Sequence, residues 1–265
     1  MKKINIITAI LLLSAIFFSC EKDGIHEIET TPTDAGAQIK FFNFGVNAPS
    51  INFYANDQKI TATLSSTGAE AAAGVNYGSV FPSANYILLS PGAYTIKGIV
   101  SSTAAANPNV QVAKLDTNIE QGKFYSYYTS GIFDATAKTI EGFILEDIIP
   151  APSATAAHVR FVNAIGNAAS GFDLIAKNTT TLTETVVAKN VGYKTGSTFT
   201  EVPNGVYELY VRYPGEAANI ITRNGTQVVS FIAGRAYTIS SRGDMTVTGA
   251  TATNRPSLDN TSNRP

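Results

Sequence analysis

The chain has 265 residues, 44% hydrophobic and 15% charged, with 19 Lys and Arg against 20 Asp and Glu for a net charge of −1. That balance lacks the basic face expected of a nucleic-acid binder, and a single Cys leaves neither an intrachain disulfide nor a cysteine-based metal site. The 21 Gly, 12 Tyr and 14 Phe, set among many Thr, Ser, Val and Ile, favour β structure, and Trp is absent.

Residues 1–19 have the three-part layout of an export signal: Lys2 and Lys3, an apolar run from Ile4 to Phe18, then the small residue Ser19. The uncharged run is shorter than the roughly 20 residues that span a bilayer as a helix, so it reads as a signal peptide rather than an anchor. Cys20 falls where the run stops. Phe17, Phe18, Ser19 and Cys20 resemble a bacterial lipobox, in which the cysteine receives a diacylglycerol and becomes the first residue after cleavage. Ser19 fits that pattern; the two Phe replace smaller aliphatics. Glu21 stands where an inner-membrane retention signal would have Asp, and Glu21, Lys22 and Asp23 resemble the charged tag that sends some bacterial lipoproteins to the cell surface. The resemblance implies lipidation at Cys20 and an outer-membrane lipoprotein, facing either the periplasm or the cell surface. Buried acyl chains hold such a protein firmly, at about 0.8 kcal/mol per CH₂.

Residues 20–36 are polar, contain Pro and Gly, and show no periodicity, which predicts a flexible tether carrying the lipid. From Ala37 the chain repeats itself. Ala37 to Ala48 aligns without gaps on Ala157 to Ala168, and Ile51 to Ala55 falls on Phe172 to Ala176 after one inserted residue. Pro91 to Ile96 answers Asn204 to Leu209, and Gly122 to Tyr127 answers Gly234 to Ile239. Each block alternates with the period of a half-buried strand, with Gly, Pro and Asn at the joins. Two copies are too few for a solenoid, and the size of each suits an immunoglobulin-like sandwich. The expected organisation is all-β: two tandem immunoglobulin-like antiparallel β-sandwich modules over 37–149 and 157–249, joined by a linker over 150–156 and followed by a flexible tail over 250–265.

The run Ile144-Leu145-Glu146-Asp147, then Pro150, Pro152 and His158 to Ala164, resembles domain-of-unknown-function family 4397, often found in tandem in envelope and secreted proteins. Asp173, Gly205-Val206-Tyr207 and Gly234-Arg235-Ala236-Tyr237 continue the likeness, which spans nearly all of 37–249. The first copy departs from the pattern at Lys40, Phe44 and Asn52. The resemblance implies no activity, because the family has no established catalytic set.

Hydrolase, nucleotide-binding, zincin and EF-hand motifs are absent from the sequence. His26 falls in the predicted tether, and His158 reads as a partly exposed strand residue. Glu146 and Asp147 are adjacent, so on a strand they face opposite sides and read as a solvated strand end. Asp173 and its counterpart Asn52 are suited to holding a nearby backbone turn, and Asn43 and Asn163 read as turn formers. No catalytic residue, metal site or cofactor is predicted.

The copies differ most in their aromatics. If Tyr125, Tyr127, Tyr237 and Ile239 mark the core, then Phe124, Ser126 and Tyr128 point outward, with Ala236, Thr238 and Ser240 as their counterparts in the second copy. Tyr54, Phe124 and Tyr128 are therefore a candidate ligand or partner surface, or else packing against the other module. Tyr210 and Arg212 are the outward candidates in the second copy, while Arg223, Arg235 and Arg242 read as scattered solvated charge. The expected function is a lipid-anchored, non-enzymatic envelope protein that binds, adheres or assembles. The alternative is a glycan-binding accessory lipoprotein of an outer-membrane uptake system. Its expected partners are the membrane through the lipid, and an envelope protein or glycan.

Overall fold

The computed structural model describes residues 36–61 and 73–264. The expected signal peptide, the lipidation site Cys20, His26 and nearly all of the expected tether lie outside the described residues. Apart from one 3₁₀ turn, Gly225–Gln227, the described regular structure is all strand, and none of its helices is long and apolar enough to cross a membrane.

The first half builds two sheets. One has β1 (Ala37–Asn43), β4 (Ser79–Phe81), β5 (Ile87–Leu89), β8 (Phe124–Asp134) and β9 (Thr139–Glu146), in the order β4-β1-β8-β9 with β5 also on β1. The other has β2 (Ile51–Ala55), β3 (Gln58–Lys59), β6 (Gly92–Val100) and β7 (Gln111–Ile119), in the order β3-β2-β6-β7.

The second half repeats the plan. One sheet has β10 (Ala156–Asn163), β13 (Thr195–Gly196), β14 (Thr200–Pro203), β18 (Ala236–Arg242) and β19 (Ser257–Arg264), ordered β13-β10-β18-β19 with β14 on β10. The other has β11 (Phe172–Asn178), β12 (Glu184–Val191), β15 (Gly205–Arg212), β16 (Ile221–Arg223) and β17 (Val229–Phe231), ordered β12-β11-β15-β16 with β17 on β15.

Pairing is antiparallel except where the first strand of each half meets its long partner. β1 runs parallel to β8, with Phe41 opposite Tyr127, and β10 runs parallel to β18, with Phe161 opposite Ile239. Parallel neighbours need a long connection, which the intervening sheet supplies in both halves. The expected antiparallel arrangement is therefore broken at one pair in each.

The period-2 faces meet between the sheets. Ile39, Phe41, Ile51, Phe53, Ile96, Tyr125 and Tyr127 share one buried cluster. Phe41 stacks on Phe53 at 5.2 Å, and Phe53 meets Tyr127 edge-on at 5.7 Å. Gly142 of β9 makes room for the Tyr127 ring, whose hydroxyl a Cβ there would strike. In the second half Val159, Phe161, Phe172, Leu174, Tyr207, Leu209, Tyr237 and Ile239 form the corresponding cluster. Each such side chain, fully buried, contributes about 1.5–3 kcal/mol.

Asn43 and Asn163 do more than form turns. Both are fully buried. The amide of Asn43 donates to the carbonyls of Pro49 and Val75 and its oxygen accepts from Thr129; Asn163 donates to the Val191 carbonyl and accepts from Ser241 and from the Ile165 amide. Each fastens the end of its strand to the parallel neighbour, and Asn43 also holds the Pro49 and Val75 backbone while Asn163 holds the end of β12.

The expected flexible tail is overturned over its second part. β19 pairs antiparallel with β18 along its length, with Leu258 packed into the second core. Its other buried side chains are Thr261 and Asn263, which are polar, so the segment carries no apolar period for a sequence reading to detect.

Candidate functional site

The outward faces of β1 and β8 are covered by the outward faces of β10 and β18. Lys40, Phe42 and Phe44 project from β1 and the residues after it, and the repeat places Arg160, Val162 and Ala164 at the matching positions. Phe42, Phe44, Tyr128, Phe143, Val162 and Ala164 form one buried apolar cluster that joins the halves. Tyr128 lies between two rings, stacked on Phe42 at 4.3 Å and on Phe143 at 4.9 Å.

A polar network borders this cluster. Arg160 donates through Nη2 to Asp147 Oδ1, through Nε to Thr238 Oγ1 at 2.8 Å and through Nη1 to the Glu146 carbonyl at 3.3 Å. The other oxygen of Asp147 accepts from Tyr86 and Ser126, each at 2.7 Å, and from Asn263 at 3.3 Å. Burial works against the charge of Arg160, but Asp147, through its charge and hydrogen bond, together with Tyr128 and Tyr86 more than offsets this, so the guanidinium is held above its ordinary pKa. Burial, reinforced by Asp147, raises the Tyr86 phenol.

Lys40, the counterpart of Arg160, has no carboxylate of its own. Its Nζ donates to the carbonyls of Ser262 at 2.5 Å and Ala84 at 3.1 Å and lies 4.7 Å from the centre of the Tyr86 ring. Burial lowers its pKa to about 8, against a smaller opposing pull from Asp147.

This arrangement corrects several expectations. Tyr128 is fully buried between the halves, so it lines no accessible surface. Phe124 is half-buried and meets Tyr86 edge-on at 5.2 Å. Tyr54 is half-exposed on β2, in the other sheet, opposite Lys59 and Lys97, so the three rings make no continuous strip. Tyr210 is buried on β15, with its hydroxyl donating to Glu208 at 2.5 Å. Arg212 is held by both oxygens of Glu184, at 2.9 and 3.0 Å.

Glu146 is at the surface, 3.0 Å from Lys123, but Asp147 is buried, so the pair is not the solvated strand end that its sequence suggests. His158 is buried too, 3.6 Å from Glu201, because β14 covers it on the edge of β10. Asp173 holds a backbone group, accepting from the Asn190 amide at 2.7 Å, whereas Asn52 accepts from the Thr61 side chain.

The feature most suited to a ligand is an open groove of about 690 Å³ beside β19. Three of its lining residues are Arg223, Arg242 and Arg255, against one carboxylate, Asp259. Arg242 donates through Nε to Asp259 at 2.5 Å and lies 5.0 Å from the centre of the Tyr77 ring. Gly78, at φ +79°, permits this stacking, since a Cβ there would come within 2.9 Å of the guanidinium carbon. Arg223 donates to the carbonyls of Gln227 and Leu258, each at 2.8 Å. Burial lowers its pKa, with Asp259 opposing. Arg255 is half-buried; its amide donates to the Ala252 carbonyl at 3.3 Å, and its guanidinium makes no hydrogen bond or ion pair among the described residues.

Sequence reasoning missed this groove. Arg223 and Arg242 read as scattered charge and Arg255 falls in the expected tail. They lie 13 or more positions apart along the chain, and the placement of β19 brings them together.

No curated protein matches the chain. Among solved structures, the chain is similar to "The Bacillus anthracis TIE protein", at 11% identity over 79% of this chain, with a TM-score of 0.23. It spans about a third of the length of that structure, 34%. The family model described as "Domain of unknown function (DUF4397)" matches residues 37–170, the first half together with β10. The match falls on the copy that departs from the pattern at Lys40, Phe44 and Asn52, while residues 171–249, where the likeness was also expected, lie beyond it. The chain belongs to the DUF4397 family.

Proposed function

We propose that the protein is a lipid-anchored component of the cell envelope that works by binding, adhesion or assembly rather than by catalysis. The observation that carries this reading is the position of the sole cysteine, Cys20, at the end of an uncharged run that follows two lysines. Acylation there holds the chain at the outer membrane, with its folded part facing the cell surface. Two pairs of facing four- or five-stranded sheets, one pair in each half, support a reading of tandem immunoglobulin-like sandwiches. The buried contact between the halves supports a rigid two-part body on a single tether rather than two independent beads.

Replacing Cys20 with Ser tests the anchor. The variant is expected to leave the membrane fraction and appear as soluble, unacylated protein. Retention in the membrane fraction at the level of the unchanged protein overturns the reading.

A further inference from the structure

We propose that the groove beside β19 binds carboxylate-bearing sugars of an acidic polysaccharide. The inference deepens the binding role proposed above and rests on it for its biological setting, but its argument comes from the groove. Three guanidinium groups against one carboxylate leave a net positive lining, on a chain whose overall charge is −1. The cationic character is local, so it is not a consequence of a basic protein.

The donors are fixed in advance. Asp259 and the Tyr77 ring hold Arg242, and two carbonyls hold Nε and Nη1 of Arg223. Arg255 adds a guanidinium with no partner of its own. The planar guanidinium of Arg255 presents paired N–H groups that match a carboxylate's two oxygens, while Arg223 and Arg242, whose Nε donors are already committed, add positive charge that is ordered before the ligand arrives and so loses less entropy on binding.

The rest of the lining sets the ligand class. Thr226, Gln227 and Thr253 supply hydroxyl and amide groups at the exposed rim, suited to a polyhydroxylated partner. The volume of about 690 Å³ falls in the range of roughly 300–1,000 Å³ usual for small-ligand sites. The open side lets a polymer enter by one residue and continue out. A phospholipid headgroup would offer the same anionic chemistry, but within the groove's own lining only Val228, Ala252 and Leu258 are aliphatic, which gives acyl chains little to match.

The test uses the purified full-length protein in detergent, titrated with polygalacturonate and, separately, with dextran as a neutral polymer. Binding is expected to polygalacturonate alone and to weaken as salt rises. Arg255→Gln should weaken it about tenfold or more, with an unchanged melting temperature, and Arg255→Lys should retain part of the affinity. Equal binding of dextran, or no effect of Arg255→Gln, overturns the proposal. So does Arg255-dependent binding to vesicles containing anionic phospholipid without binding to polygalacturonate, which assigns the groove to a lipid headgroup. If polygalacturonate does not bind while Cys20→Ser still releases the protein, the groove assignment falls and the lipoprotein reading stands.

Discussion

Arg160 of the second half donates a charged hydrogen bond to Asp147 at the end of the first, and neither side chain reaches solvent. Arg160 lies on β10 and Asp147 directly follows β9, so the ion pair spans the junction between the halves. A buried ion pair requires desolvation of both partners, and its value depends on how completely the remaining donors and acceptors are matched. Here Thr238, Ser126, Tyr86 and Asn263 complete the set.

The pair therefore has a distinctive mutational signature. Asp147→Asn or Arg160→Met alone should destabilise the protein by about 3–5 kcal/mol, because each leaves an uncompensated buried partner. The double variant should cost less than the sum of the two. Denaturant unfolding of all four proteins gives the coupling, and additive costs would show that the two side chains do not depend on each other.

The aromatic rings divide between structure and surface. Tyr128→Ala removes a ring packed between Phe42 and Phe143 and should lower stability by about 3–5 kcal/mol, whereas Tyr54→Ala, on a half-exposed face, should change it by less than about 1 kcal/mol. Thermal or urea unfolding separates the two. Equal effects would contradict the placement of Tyr128 between the halves.

Lys40 gives the interface a pH dependence of defined sign. Its pKa is lowered to about 8 by burial, from 10.5 in an exposed lysine. Between these values the unfolded chain binds more protons than the folded one, so this group's contribution rises as pH increases. Below about pH 8 the lysine is charged in both states and the cost of burying that charge is present in full. The stability of the unchanged protein relative to Lys40→Met should therefore grow between pH 8 and 10, by about 2 kcal/mol. The comparison with Lys40→Met isolates this effect from the tyrosines, whose titration in the unfolded chain begins near the top of that range. A flat difference across the window would exclude a buried, proton-releasing Lys40.

Removing residues 257–265 should destabilise the whole chain rather than trim it. The deletion strips β18 of one of its two partner strands, Leu258 of its place in the second core and Asn263 of its bonds to Thr238 and Asp147. Asn263→Ala alone should cost about 1–3 kcal/mol, the usual penalty for leaving buried polar groups unmatched. Urea unfolding checks both, and an unchanged midpoint for the deletion would restore the reading of this segment as a tail.

Much of the fold was legible in the sequence because strand alternation is local. The facing of Tyr125 and Tyr127 into one core and of Tyr237 and Ile239 into the other follows from period 2 alone. So does the outward direction of Tyr128, although direction does not say what lies beyond the face. Asp147 and β19 were misread for one reason: their burial is polar, satisfied by hydrogen bonds to residues far along the chain, and polar residues carry no hydrophobic signal.

By itself the sequence determined the all-β class and the faces of its principal strands, because these depend on neighbours a few residues away. Tertiary structure alone decided that the outer faces of β1 and β8 meet those of β10 and β18, that Lys40 and Arg160 are buried there, and that three distant arginines line one groove. These facts depend on how sheets pack and on where a polar C-terminal strand pairs. The energies involved come from contacts between residues 13 to 222 positions apart, which no local period records.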